Sequence, residues 1–312
     1  MSRDEVGNLL TLFYTEVSQN HKQFLKSKEG FKLKLAEKIS RYSSISNYNV
    51  LIDYLDTVYK YLEKGFRENK YDICIVDIET KTNLTIDRSA GPIDIIYEVG
   101  LAIHPIFGFP YIPGQSLKGA FTHMMLRYTR FLDNKLKDLL GDKVKDVFTR
   151  YIKWFLGHDK SGISNIMFTD AYPDIANNKD RYFISPDIMT PHYKSDTENE
   201  LDVNPIPILY LVVPKGIRFR FIFGVSNRRV DRLSEDIKDI SGYRDTLARI
   251  VEDDDLKKIF TRYINGDGEY KINFRNIASD VIDLMLYYGV GGKTNTGYSR
   301  FEVLSKRWSQ HG

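Results

Sequence analysis

Apolar residues recur at helical spacing through residues 1 to 70. Leu9, Leu10, Phe13 and Val17 form a short stripe, and Val50, Leu51, Tyr54, Leu55, Val58, Tyr59 and Leu62 form a longer one that Lys64 and Gly65 end in C-cap fashion. Residues 22 to 41 lie between them and carry seven basic side chains against two acidic ones, the pattern of a solvated helix face. The spacing then changes. Residues 83 to 88 predict a short strand, and 108 to 131 (GFPYIPGQSLKGAFTHMMLRYTRF) predict an extended loop that turns into a helix. Pro110 and Pro113 keep that loop extended, Ser116 stands where an N-cap is expected, and Leu117, Ala120, Phe121, Met124, Met125, Tyr128 and Phe131 share one face.

Further strands are predicted at 164 to 171, 208 to 213 and 217 to 225; in the last, Phe219, Phe221 and Phe223 alternate with Arg218 and Arg220, giving an apolar face and a partly basic one. Residues 133 to 162 read as a helical insertion, 243 to 263 as a charged helix, and Ile277 to Tyr288 as a buried helix leading through a glycine-rich loop into a strand at 298 to 304. The polar stretch 172 to 207 holds five prolines and cannot form a core alone. The main elements run strand, helix, strand, strand, helix, strand, which is the ferredoxin-like order. The fold class expected is therefore α+β: a modified ferredoxin-like (RRM-like) core over 81–312, a helical N-terminal extension over 1–80, and long insertions.

Composition changes this picture little. The 312 residues carry a net charge of +3, so a basic surface must be local. The single Cys74 excludes an intramolecular disulfide and a multi-cysteine zinc site. No stretch reads as a membrane span or secretory signal, so a cytoplasmic protein is expected, with no membrane partner.

Candidate chemistry concentrates in two loops. Lys118 lies in the first turn of the helix that follows Pro113, where free backbone N–H groups and a cation suit an anion, phosphate above all, as against an idle solvated lysine. The second loop, Gly289 to Gly297, holds four glycines with Lys293, Thr294 and Thr296, and Arg300 follows it. It is not a nucleotide-hydrolysing P-loop: position 287 is Tyr where that motif needs Gly, and a helix precedes instead of a strand. Its backbone can still approach a phosphate chain closely. No two of the six histidines have the i, i+4 spacing of a helical zinc site, so neither metal nor cofactor is expected. His104 is read as packed or hydrogen-bonded, with a general base for RNA cleavage as the alternative. His192, in the polar stretch, is read as a contact to nucleic acid.

GFPYIPGQSLKGAF and GVGGKTNTGYSRF resemble the two signature glycine motifs of the RAMP superfamily of CRISPR systems. VGLAIHPIFGFPYIPG and the DIMTPHY segment further resemble the sixth-subunit branch found in type III-B (Cmr) effector complexes. The resemblance covers roughly residues 80 to 305. It implies an RNA-binding, non-catalytic subunit that takes part in antiviral defence by gripping the crRNA backbone and capping the backbone filament near the 3' side of the guide. The residues implied are Gly114, Gln115, Ser116, Lys118 and Gly119 in the first loop and Gly291, Gly292, Lys293, Thr294, Thr296 and Gly297 in the second; Arg127, His192 and Arg300 are expected from the residues themselves as further RNA contacts. The partners implied are the crRNA and target RNA duplex and the other Cmr subunits: the repeating backbone subunit, the first subunit and the small subunit. Gln115 stands where the usual pattern has Ser. The polar excursion would be a thumb-like hairpin reaching the guide–target duplex. Relatives that cut RNA carry an aspartate where this chain has Glu98, so no catalytic residue is expected; the alternative is an endoribonuclease that processes guide RNA or cuts target RNA.

Overall fold

A computed structural model of the chain describes residues 8–43, 51–86, 96–97, 101–140, 147–157, 164–178, 181–190, 207–226, 260–265 and 271–309. Four helices come first: α1 (Leu9–Gln19), α2 (His21–Lys26), α3 (Lys28–Tyr42) and α4 (Ile52–Glu68). The Asn8 side chain caps α1 by accepting from the N–H groups of Leu10 and Thr11. In the basic run most cations are exposed, as expected of a solvated face. Lys32 departs from this: only 2% of it is exposed, and its ammonium lies 3.2 Å from Glu29.

The helical extension expected over residues 1–80 ends earlier, because Tyr71–Thr80 is a strand, β1. β1 is an inner strand of the main sheet. It pairs antiparallel with β6 (Arg218–Ser226) on one side and with β9 (Phe301–Ser309) on the other. β2 (Ile166–Phe168) and β3 (Tyr172–Pro173) both pair with the far side of β6, so the sheet order is β2-β6-β1-β9. The short strand expected at 83 to 88 is a single bridge, Leu84 to Val213, among the residues described. The last strand begins at Phe301 instead of Tyr298, since the glycine-rich loop continues through Arg300. β4 (Ser185–Met189) and β5 (Ile208–Val212) form a separate hairpin beside α3 within and after the polar excursion; residues 191–206 lie outside the described residues, as does 243–259 of the expected charged helix. Two residue pairs join β7 (Ile264–Asn265) to β8 (Lys271–Ile272).

The sheet is covered on both faces, and the alternation of side chains in β1 sorts them. Cys74, Val76 and Ile78 point with Phe219, Phe221 and Phe223 into the large core under α5 (Gly114–Leu140) and α7 (Phe274–Tyr288). Phe121 of α5 packs its ring 5.1 Å from that of Phe223, and Phe274 stacks at 3.9 Å on Phe155 of α6 (Val147–Phe155). α5 runs unbroken through the boundary expected between a short helix and an insertion at 133. Asp133 instead accepts the N–H groups of Phe148 and Thr149 at 2.8 and 2.7 Å, capping α6.

On the other face, Ile73 and Ile222 pack with Tyr59 and Phe66 of α4. Beyond that cluster the face carries an ion-paired ladder. Arg218 Nε lies 2.9 Å from Glu79, Arg220 Nε lies 2.6 Å from Asp77, and Asp77 also accepts from Arg307 at 3.1 Å and from Ser305 at 2.7 Å. The expected basic face of β6 is thus internally neutralised, because cross-strand register places each arginine opposite a carboxylate of β1. No helix among the described residues is long and apolar enough to cross a membrane.

Asp77 holds three donors, two of them guanidinium groups, on a mostly covered face. Asp77→Ala is expected to destabilise the fold by about 1.5–3 kcal/mol, measured by urea unfolding; Glu79→Ala, itself more exposed than Asp77 and paired with Arg218 alone among the described residues, is expected to cost less.

Candidate nucleic-acid interface

The first loop starts α5 differently from the sequence expectation. The carbonyl of Pro113 accepts from the N–H of Ser116 at 2.9 Å and of Leu117 at 3.2 Å, so the helix begins at Gly114 and Ser116 sits inside its first turn, not at the cap. The Gly114 N–H donates to Asp170 Oδ1 at 2.7 Å. A carboxylate of the chain itself therefore occupies the place at this helix start where an external anion was expected. Gly114 is required for packing: a Cβ there would lie 2.7 Å from the Phe168 carbonyl oxygen. Gln115 and Gly119 are exposed, and Ser116 and Lys118 are half-buried at the rim. Arg127 is exposed on the same helix but about 20 Å along its axis from Gly114, so it does not join this loop.

The second loop is pinned to the segment after β1. Thr85 Oγ1 donates to the Gly292 carbonyl at 2.9 Å, and the Gly292 N–H donates to the Thr85 carbonyl at 2.8 Å. Ser299 Oγ also donates to the Gly292 carbonyl at 2.9 Å. Gly291 has φ +117, and a Cβ there would meet the Thr85 oxygen at 2.5 Å, so the close approach demands glycine. Lys293 is left-handed at φ 56 and leads a short 3-10 turn, Thr294–Thr296, whose Thr296 is exposed; Gly297 follows at φ 91. The hydrogen-bond path from this loop to the first runs through Ile86, Ala102, Tyr111, Ile112 and Ala171.

The Lys293 side chain is the main departure from expectation. Its ammonium lies 4.2 Å from the Tyr210 ring centroid, 5.4 Å from that of Tyr298 and 2.7 Å from Met189 Sδ. Burial lowers its pKa, opposed by the nearby Asp187 carboxylate. Asp187 in turn accepts from Tyr298 and Asn83, each at 3.0 Å. Lys293 therefore bridges the glycine-rich loop to the β4–β5 hairpin in the free chain. Asp170, Asp187, Tyr210, Thr85 and Ser299 all escaped the sequence reading, since each is recognisable only through contacts distant in sequence. His192 and Glu98 lie outside the described residues.

His104 is packed, as its first reading held. Its ring stacks on Phe107 and Phe109 at 4.7 and 5.5 Å and meets Tyr111 and Tyr172 edge-on, each at 5.9 Å. Its Nδ1 accepts from the N–H groups of Ile106 and Phe107 at 3.3 and 3.2 Å, which places the proton of the neutral ring on Nε2. Burial lowers its pKa, with Asp170 opposing.

With these positions in hand, comparison with known proteins defines the class. The RAMP superfamily model matches residues 77–302, a span that contains both loops, and the chain belongs to that superfamily. Within it, the chain is similar to the CRISPR system CMR subunit Cmr6 of Saccharolobus solfataricus, at 27% identity over 62% of this chain and 59% of that one. It is also similar to Cmr6 of Pyrococcus furiosus, at 25% identity over 43% of this chain and 53% of that one. The matches thus span less than two thirds of these relatives' own lengths. Among solved structures, a chain of the type III-B Cmr-beta complex bound to cognate target RNA shares the fold, with a TM-score of 0.56 and 22% identity over 90% of this chain and 73% of that one.

Because folding lowers the His104 pKa, the neutral ring is the form that suits the fold. The associated stability is present above the ordinary imidazole value of about 6.5 and is lost as pH falls through the lower folded value. An NMR titration is expected to give His104 a pKa below about 6.5 with the Nε2–H tautomer at neutral pH. A pKa above that value would contradict the packing described.

Proposed function

We propose that this chain is a non-catalytic RNA-binding subunit of a type III-B (Cmr) CRISPR effector, the counterpart of the Cmr6 proteins it resembles. It holds the crRNA backbone, contacts the guide–target duplex and the neighbouring Cmr subunits, and ends the backbone filament near the 3' side of the guide, in the cytoplasm. The observation that carries this reading is the matched span of the family, which contains the exposed rim of α5 and the glycine-rich loop together. The strand order β2-β6-β1-β9 with α5 and α7 on one face supports a ferredoxin-like core. In this reading the sheet is not the RNA platform, since α4 and the arginine–carboxylate ladder cover the face an RRM would use. RNA runs along the loops at the rim. Contact there is to phosphate and sugar, which lets any guide sequence be accepted.

At the first loop, Asp170 takes the helix start, so the side chains of Gln115, Ser116 and Lys118 make the contact. At the second, exposed backbone around Gly291 and Gly297 approaches the phosphates, and Lys293 leaves its aromatic cradle to join them. A nuclease is the less favoured reading. The Nδ1 lone pair of His104 is already engaged by two backbone donors, which speaks against this residue as the base of that alternative.

Combining Lys118→Ala with Lys293→Met, which keeps an apolar stem in the cradle, is expected to weaken binding to single-stranded RNA of any sequence. The salt slope of log K should fall by about 1 to 1.5. An unchanged affinity and slope would sink the two-loop grip. Guide cleavage abolished by His104→Ala would overturn the non-catalytic assignment.

A further inference from the structure

The carboxylates of β1 are paired with cations along the strand, and the pairing stops at one end. Arg275 with Asp72, Arg220 and Arg307 with Asp77, and Arg218 with Glu79 are all matched. Past Thr80 this ceases. The Lys81 N–H donates to the Arg300 carbonyl at 2.8 Å, and the Gly216 N–H donates to the Thr80 carbonyl at 2.6 Å, so Lys81, Arg300 and the turn Pro214–Lys215–Gly216 share one end of the sheet. Arg181 lies against the same turn: a Cβ on Gly216 would come within 2.3 Å of its guanidinium. Lys81, Arg181, Lys215 and Arg300 are all exposed, and none has a carboxylate partner among the described residues. The carboxylates nearest in register are Glu79, held by Arg218, and the exposed Glu302. Tyr182, next to Arg181, is 52% exposed.

We infer that this end of the sheet is a further contact for single-stranded RNA, in which Lys81, Arg181, Lys215 and Arg300 neutralise successive phosphates and Tyr182 stacks on a base. The inference rests on the RNA-binding reading above and extends it beyond the two loops. Unpaired, solvated cations beside one exposed aromatic ring match the composition of single-strand sites. RNA fits better than an acidic protein surface because Arg300 makes the patch continuous with the glycine-rich loop. Arg300 joins the patch to the glycine-rich loop, so a strand leaving that loop meets it next.

The test measures binding of the full chain to a fluorescent single-stranded oligouridine between about 50 and 200 mM salt. Lys81→Gln with Lys215→Gln is expected to weaken binding severalfold and to lower the salt slope by about 1 to 1.5. Lys81→Arg with Lys215→Arg keeps the charges and should keep the slope. Tyr182→Leu is expected to weaken binding about fivefold or more at unchanged slope, and Tyr182→Phe to retain it. Lys118→Gln runs beside them. If it weakens binding while the Lys81/Lys215 glutamine pair binds like the parent, RNA binding by the loops stands and the patch is overturned. If the pair weakens binding and Lys118→Gln does not, the patch stands and the first-loop contact falls. Glutamine variants that keep RNA affinity but no longer assemble with other Cmr subunits would assign the patch to a protein and overturn the inference.

Discussion

Strand β1 has no free edge, and its side chains are buried or half-buried on both faces. Its two backbone edges are taken by β6 and β9, and its side chains leave alternately toward two apolar layers. Cys74, Val76 and Ile78 reach the aromatic core beneath α5 and α7; Ile73 reaches α4; Asp77 and Glu79 leave on the same side as Ile73 and meet arginines. A strand in this position fixes everything around it. A one-residue slip would move Asp77 and Glu79 into the core and Val76 and Ile78 under the arginines. The loops that matter for function begin and end where this strand stops: residues 81–86 continue from it, and the glycine-rich loop is bonded to them.

In the proposed function, that arrangement decides where nucleic acid can go. A ferredoxin-like sheet used as an RNA platform needs an open face with accessible aromatics. Here α4 lies on part of that face, and ion pairs occupy the rest. Accessible loop backbone, and cations without a carboxylate partner among the described residues, are found instead at the rim, in the glycine-rich loop and at the end of the sheet. Two carboxylates temper the rim. Asp170 occupies the start of α5, and Asp187 steadies the cradle of Lys293. Lys293 is thus placed by internal contacts before any RNA is present, and it ties the loop to the β4–β5 hairpin.

Much of this was legible in the chain. The proline-punctuated loop, the apolar stripe from Leu117 onward and the four-glycine loop were visible because each is a local signal. The alternation of Phe219, Phe221 and Phe223 correctly marked a core-facing strand. β1 was missed because YDICIVDIET is buried on both faces, so its pattern is neither a clean alternation nor a helical stripe, and it follows directly on a strong helix. The start of α5 was misplaced because its carboxylate partner, Asp170, lies 56 residues away. The basic face of β6 was misjudged for the same reason: its neutralising carboxylates belong to another strand. Lys293 read as free, since nothing near it in sequence announces Tyr210 or Met189.

In the proposed function, RNA follows the rim and leaves the covered sheet face alone. This path of the RNA is tested most directly by photo-cross-linking the assembled effector, carrying a guide RNA substituted with a photoreactive uridine, and sequencing the linked peptides. Cross-links are expected within residues 114–119 and 291–300, and none to Tyr59 of α4 or to Asp77 and Arg220 on the sheet face that α4 partly covers. Cross-links concentrated on that face, with the two loops unlabelled, would contradict this path.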